Sequence, residues 1–386
     1  MNTTRSIYHL ALADFYERTR RFSFLLILAA AIFMGLLVNN GTLFLSLGPI
    51  NRTPFSASYR GEFNSAWIGA MTVLVTNASL GLLGFFLVSD CIKRDIRTGV
   101  GQIIATAPIS RATYLIGKWI SNFLVLFALV LVQAVAALVM ALLKNEAALD
   151  LSALLLPFLA VALPYMALIA AVAVVFETVP WLRGTVGNAV YFFLWMSLFL
   201  ASLKGELALP LVKDPLGVDV FRASLYDAAN ATFHDEPIGA MGISGFTAMP
   251  FKVFNWPGLA WTPGIIFGRW VWVAFSLGLI LLSALWFTRF DPSREGLRRG
   301  RVKPKESKGG VPATRHIKAL RIALPNLSPL ISKLAGANIF LGVLFAELRL
   351  LLNRRQWWWW LGIVGLNIAI LCTPPSIAKG YLLPVA

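Results

Sequence analysis

The sequence predicts an all-α, polytopic transmembrane bundle of six spans, followed by the start of a second copy of the same arrangement. Composition, the spacing of apolar runs and the distribution of positive charge predict it. The chain has 386 residues, 58% hydrophobic and 13% charged, with a mean hydropathy of +0.73. That is more apolar surface than one soluble core can enclose, so the excess faces lipid.

A hydrocarbon core of about 30 Å takes roughly 20 apolar residues as helix. Seven stretches are suitable: 22–38, 66–89, 119–143, 153–176, 187–203, 266–288 and 357–373. With the N-terminus in the cytoplasm, the inner segments hold 25 Lys and Arg and the outer segments 9, whereas acidic residues divide nine and nine. Positive charge is what resists translocation, so this asymmetry sets the N-terminus inside.

The formal net charge of +16 sits beside the spans, where anionic headgroups are the nearest negative surface. The lipid bilayer, and not nucleic acid, is therefore the expected partner of these bases. Cys91 and Cys372 fall near opposite faces, beyond the roughly 7 Å that a disulfide tolerates, so neither a bridge nor a metal cage is expected.

Residues 1–21 are too charged to span. Ile7, Leu10, Leu12 and Phe15 predict an interfacial helix that turns toward the membrane, with Arg18 and Arg20 among headgroups. Arg18, Arg20 and Arg21 before an apolar run also suit a signal peptide, but Asn39-Asn40-Gly41 supplies no small-residue cleavage pattern, and 22–38 reads as a permanent span.

Residues 22–288 then form the six-span domain, with a cytoplasmic segment at 90–118 and an outer loop at 204–265. In that loop, 214–233 has helical patterning and Gly-, Pro- and Met-rich turns follow. Residues 289–338 are a basic cytoplasmic linker, with eleven basic and three acidic residues between Arg289 and Arg321.

Residues 339–386 repeat the start of the chain. Asp14, Arg20-Arg21 and Phe22 correspond, within a one-residue slip, to Glu347, Arg354-Arg355 and Trp357. Trp357 to Trp360 are an interfacial aromatic belt. A six-span second half needs more chain after 357–373, so 339–386 is expected to open a truncated second half.

The search for chemistry returns little. Gly242-Ile243-Ser244-Gly245 superficially resembles the GxSG of rhomboid proteases, but Ser244 falls in an outer loop, and His9, His234 and His316 all lie outside the spans. The spans carry amides, Asn77, Asn122, Gln133 and Asn188, which suit interhelical hydrogen bonds. Asp90, Glu177 and Arg269 stand at span edges, leaving no membrane-centred ion relay for a secondary transporter. No GxxxxGK[ST] occurs; Gly117-Lys118 is followed by Trp119. Energy for transport would have to enter from a partner.

The informative stretch is 90–119, DCIKRDIRTGVGQIIATAPISRATYLIGKW. Ile92, Ile96, Val100, Ile103 and Ile104 are helically spaced, Pro108 ends a helix, Ser110 can cap the next, and Tyr114 to Lys118 lead into a span. By spacing alone this is a re-entry turn or a short helix that receives force from a soluble partner.

Here the chain resembles the permease (transmembrane) subunits of ATP-binding cassette transporters of the ABC-2 type. The resemblance rests on Arg97-Thr98-Gly99, the apolar Ile103-Ile104, the turn Pro108-Ile109-Ser110-Arg111, the aromatic Tyr114 and Gly117-Lys118. Arg94-Asp95 stands where the family often has a glutamate before Thr-Gly, and Gly101-Gln102 where a larger residue is common. The resemblance covers 1–300 and the restart at 339–373 in layout, and is motif-specific only over 90–119.

It implies an exporter subunit in a plasma membrane of the bacterial inner-membrane kind, with no cofactor of its own. Its partner would be a separate ATPase subunit carrying ATP and magnesium, and its counterpart a second permease half or a homodimer mate. Arg97, Thr98, Gly99, Ile103, Ile104, Pro108, Ser110, Arg111, Tyr114 and Lys118 would form the ATPase contact. The rival expectations are a membrane scaffold or assembly protein without transport, and a membrane-embedded enzyme.

Overall fold

A computed structural model describes residues 3–39, 43–49, 59–107, 109–144, 148–205, 214–234, 237–245 and 252–287. Pro108, the linker 289–338 and the segment 339–386 with its tryptophan belt and Cys372 lie outside the described residues.

Helices stand where the apolar runs predict them. An N-terminal helix, α1 (Thr3–Thr19), precedes α2 (Phe22–Asn39). After two strands come α3 (Ser65–Val88), the short α4 (Cys91–Thr98) and α5 (Val100–Thr106), and the long α6 (Arg111–Lys144). The next run is α7 (Leu151–Pro157), a π turn (Phe158–Ala162) and α8 (Leu163–Thr178), followed by α9 (Thr185–Lys204), α10 (Val218–Thr232) and α11 (Pro263–Trp286). Among the described residues, five helical stretches are long and apolar enough to cross a membrane: Ser65–Thr98, Arg111–Leu143, Leu151–Thr178, Thr185–Lys204 and Pro263–Trp286; Phe22–Gly35 is a shorter apolar helix.

The π turn has a local cause. Pro157 and Pro164 each lack an amide donor, and between them the helix widens until the Leu163 N–H donates to Phe158 O, five residues back. This run is the centre of the bundle: 78% of its apolar window is buried, against 17% in α9 and in α11. Lipid is as apolar as leucine, so helices associate here through close packing of small residues. Ala160, Ala162, Ala167, Ala170, Ala171 and Ala173 are all buried, and Gly69 of α3 lies directly on the backbone of Leu154.

Three of the four span amides cross between segments: Asn77 Nδ2 donates to Leu216 O (2.7 Å), Asn122 Nδ2 to Ala170 O (3.4 Å) and Gln133 Nε2 to Ala31 O (2.7 Å). Asn188 is exposed on α9.

The all-α expectation is corrected at one end of the bundle. Strands β1 (Leu43–Pro49), β2 (Tyr59–Gly61), β3 (Ile238–Gly245) and β4 (Lys252–Phe254) form a sheet in the order β3-β1-β2-β4. Strand β1 runs antiparallel to β3 from Leu43↔Gly245 to Pro49↔Ile238, whereas β2 and β4 are parallel. Ser244, expected in a turn, is paired in extended backbone with Phe44. The sheet joins the segment after α2 to the segment after α10, so the two loops share one end of the bundle. The Asp150 N–H, donating to Ser65 Oγ at 3.0 Å, adds the α6–α7 connection to that end.

Candidate functional site

At the opposite end, the segment 90–119 is two helices and not one. Gly99, at φ 77°, adopts the left-handed conformation that stops α4 and starts α5. Asp90 also has positive φ (65°), and its side chain does not cap α4. A distant residue does so: the Glu177 carboxylate, one residue from the end of α8, accepts from the backbone N–H groups of Cys91 (2.7 Å), Ile92 (2.6 Å) and Lys93 (3.1 Å). A carboxylate at a helix N-terminus both satisfies orphan donors and meets the positive end of the helix dipole. Ser110 Oγ accepts the Thr113 N–H at 3.1 Å, capping α6 as the sequence predicts.

Below α4 lies an ion network drawn from α1, α4 and α6. Lys118 is 1% exposed, with Nζ 2.6 Å from Asp14 Oδ2 and 2.7 Å from Asp95 Oδ2. The Tyr114 hydroxyl donates to Asp95 Oδ2 at 2.7 Å. Arg94 lies 3.3 Å from Asp14 and 3.6 Å from Glu17, and Arg18 Nη1 donates to Val88 O at 3.3 Å. Two buried carboxylates, Asp14 and Asp95, thus meet two buried cations, Lys118 and Arg94, away from water, with Glu17 at the exposed rim. Such a set adds little net stability over an apolar core, but it penalises the loss of any one member by about 3–5 kcal/mol. It fixes one register of α1 against α4 and α6.

Apolar contacts reinforce the register. Ile92 and Ile104 point inward and join Cys91, Tyr114, Leu115, Ala171, Val174, Ile280 and Phe287 in a cluster separate from the main core. Tyr114 and Phe287 stack with ring centroids 5.4 Å apart. Leu10 of α1 packs on Gly117 of α6. Two details of the interfacial reading of α1 are therefore corrected: Leu10 faces protein, and Arg18 is buried, because both meet partners on α3 and α6 before they reach a bilayer surface.

The residues singled out from the sequence separate into two groups. Arg97, Thr98, Ile103, Ser110 and Arg111 are exposed, with Ile103 at 70%, and Ile96 and Val100 add apolar surface beside them. Ile104, Tyr114 and Lys118 are buried, which closes them to direct contact from outside the bundle and leaves them to position α4, α5 and α6. Gly99 supplies the turn between the two helices.

Sequence reasoning missed Asp14, Arg94, Asp95 and Glu177 as members of this site. Lys118 carried the signal, because a lysine two turns inside a helix that continues as a membrane-length apolar run must be paired or reach for water.

No protein-family model matches this chain, and comparison with curated proteins returns no match.

Proposed function

We propose that the chain is the permease subunit of an ABC-2 type ATP-binding cassette transporter, an exporter driven by a separate ATPase. The observation that carries this reading is the paired helices α4 and α5, exposed on one side and locked to three other helices on the other. Such a segment is a mechanical handle. Ile96, Val100 and Ile103 offer an apolar seat for a partner groove, while Arg97 and Arg111 offer guanidinium forks for its carboxylates.

A push on the handle has two outlets. Glu177 carries displacement of α4 into α8, the centre of the bundle, and the Lys118 network carries it into α1 and α6. Rigid movement of these helices against a second six-span half, or a second copy of the chain, opens the path for substrate when ATP closes the partner dimer. In this reading α4 and α5 face the cytoplasm, the sheet and α10 face outward, and the six-span layout lies in a bacterial inner membrane. The protein breaks no bond itself.

The test is to search the neighbouring reading frames for a P-loop ATPase, whose absence would favour a scaffold, and to co-express the one found with this chain. Arg111→Glu and Ile103→Asp should each abolish co-purification and ATPase stimulation at unchanged expression. Full stimulation with both variants would reduce the segment to a re-entry turn and favour a scaffold.

A further inference from the structure

Just before α10, a turn of chain stands inside the bundle. Asp214, Pro215, Leu216 and Gly217 are all buried, and none belongs to a helix or a strand. Their depth follows from the side chains that hold them. Asn77 stands twelve residues into α3, about 18 Å along its axis, and Arg269 six residues into α11, about 9 Å.

Backbone carbonyls at such depth have neither water nor a helical ladder, so each needs a partner from the protein. Arg269 Nη1 donates to Asp214 O at 2.6 Å and Nη2 to Pro215 O at 2.9 Å, while Asn77 Nδ2 donates to Leu216 O at 2.7 Å. Two span side chains thus hold three successive carbonyls. We infer that this turn is a releasable plug, which withdraws toward the sheet end together with α10 and opens the bundle between α3, α8 and α11 to water.

The turn is built to move as one body with α10. The Gly217 N–H closes on Asp214 O at 3.2 Å, and the Asp214 carboxylate accepts the N–H groups of Gly217 at 3.0 Å and Asp219 at 2.6 Å. These bonds lie within the turn and the start of α10, so withdrawal breaks none of them. Asp214 (φ 45°) and Gly217 (φ 88°) bound the turn with positive φ. Arg222 of α10 donates to Ser202 O near the end of α9, which tethers the moving body.

What withdrawal does break is polar, and water can replace it. The catches are also incompletely paired while the turn is seated: Asn77 Oδ1 and Arg269 Nε are buried without a hydrogen-bond partner. A buried polar atom left unpaired is costly, and entry of water relieves it. Gly217 lies directly on Val161, in the π turn, where the run from α7 to α8 already departs from the α-helical ladder. Leu216, 1% exposed, opposes withdrawal and keeps the seated state dominant.

The experiment measures how fast a cationic methanethiosulfonate reacts with Leu216→Cys in the full chain in a maltoside detergent, with Cys372→Ser. Cys91, buried at the handle end, reports on the rest of the fold. Arg269→Met and Asn77→Leu each remove a catch, and each should speed reaction at Leu216→Cys at least about tenfold while Cys91 stays protected. Arg269→Lys should fall between. Unchanged rates in both variants, or Cys91 reacting in step with Leu216→Cys, would make the turn a fixed brace and overturn the plug.

Hydrogen exchange in the unsubstituted chain decides the matter if Leu216→Cys does not fold. The Leu216 amide should exchange at least about tenfold faster than the buried amides of 165–174 in α8, because the plug opens without the bundle. Equal protection of the two would overturn it.

Discussion

The carboxylate of Glu177 closes the first turn of a helix that begins 86 residues earlier, accepting the N–H groups of Cys91 and Ile92 at 2.7 and 2.6 Å. Near the C-terminus of its own helix this charge opposes the dipole; at the N-terminus of α4 it is favoured. Arg183, whose Nε donates to the Glu177 backbone carbonyl at 2.5 Å, relieves the α8 end. The pair ties the handle to the centre of the bundle.

Glu177→Ala should therefore loosen α4 before it unfolds anything else. Loss of a charged hydrogen-bonding cap costs about 1.5–3 kcal/mol, equivalent to at least tenfold faster amide exchange at Cys91, Ile92 and Lys93. Glu177→Gln, which keeps an acceptor, should fall between the two. Unchanged exchange at these three amides would show that α4 is held by Ile92 packing alone.

Lys118→Met should destabilise the folded chain by about 3–5 kcal/mol, because Asp14 and Asp95 are left facing one another without their cation. The double variant Lys118→Met, Asp95→Asn should recover part of that loss, and thermal unfolding of the three proteins in detergent measures the coupling. Additive losses would mean that the network is not a unit.

Two glycines give a contrast in packing. A Cβ on Gly69 would lie 2.6 Å from Leu154 O, against backbone that cannot move aside, whereas on Gly117 it would meet the tip of Leu10 at 2.7 Å. Gly69→Ala should cost about 1–3 kcal/mol through overpacking, and Gly117→Ala less, because a leucine can change rotamer. Melting temperatures decide the order, and a larger loss at Gly117 would place the rigid contact at α1.

Much of this layout was legible because membrane-length apolar runs are long, local signals. The helices over 65–88, 151–178 and 185–204 start and stop within two residues of the runs that predict them. The sheet was not legible, since Leu43–Pro49 and Ile238–Gly245 are short, Gly-containing segments that become strands only by meeting across four intervening helical passes. At the candidate site, Ser110 could be read from capping chemistry alone. The burial of Lys118 depends on Asp14, 104 residues away, and no local pattern contains that pair.

The last prediction concerns the two ends. Strands β1 and β3 pair over seven positions, so the segments following α2 and α10 lie together. Glu177 with Cys91, Asp14 with Lys118, and Tyr114 with Phe287 hold the other end. Whichever way the chain is inserted, Ala231 at the exposed end of α10 and Arg97 on α4 must label oppositely. From the Lys and Arg excess, Arg97 and Ser307 in the basic linker are both expected on the cytoplasmic side. Single cysteines at these three positions, with Cys372→Ser and the buried Cys91 retained, should react with a membrane-impermeant thiol reagent in intact cells only at Ala231→Cys. Permeabilisation should expose the other two. Labelling of Arg97→Cys and Ser307→Cys from outside, with Ala231→Cys protected, would invert the topology and remove the handle from the reach of ATP. Labelling of Arg97→Cys and Ala231→Cys alike would contradict the bundle itself.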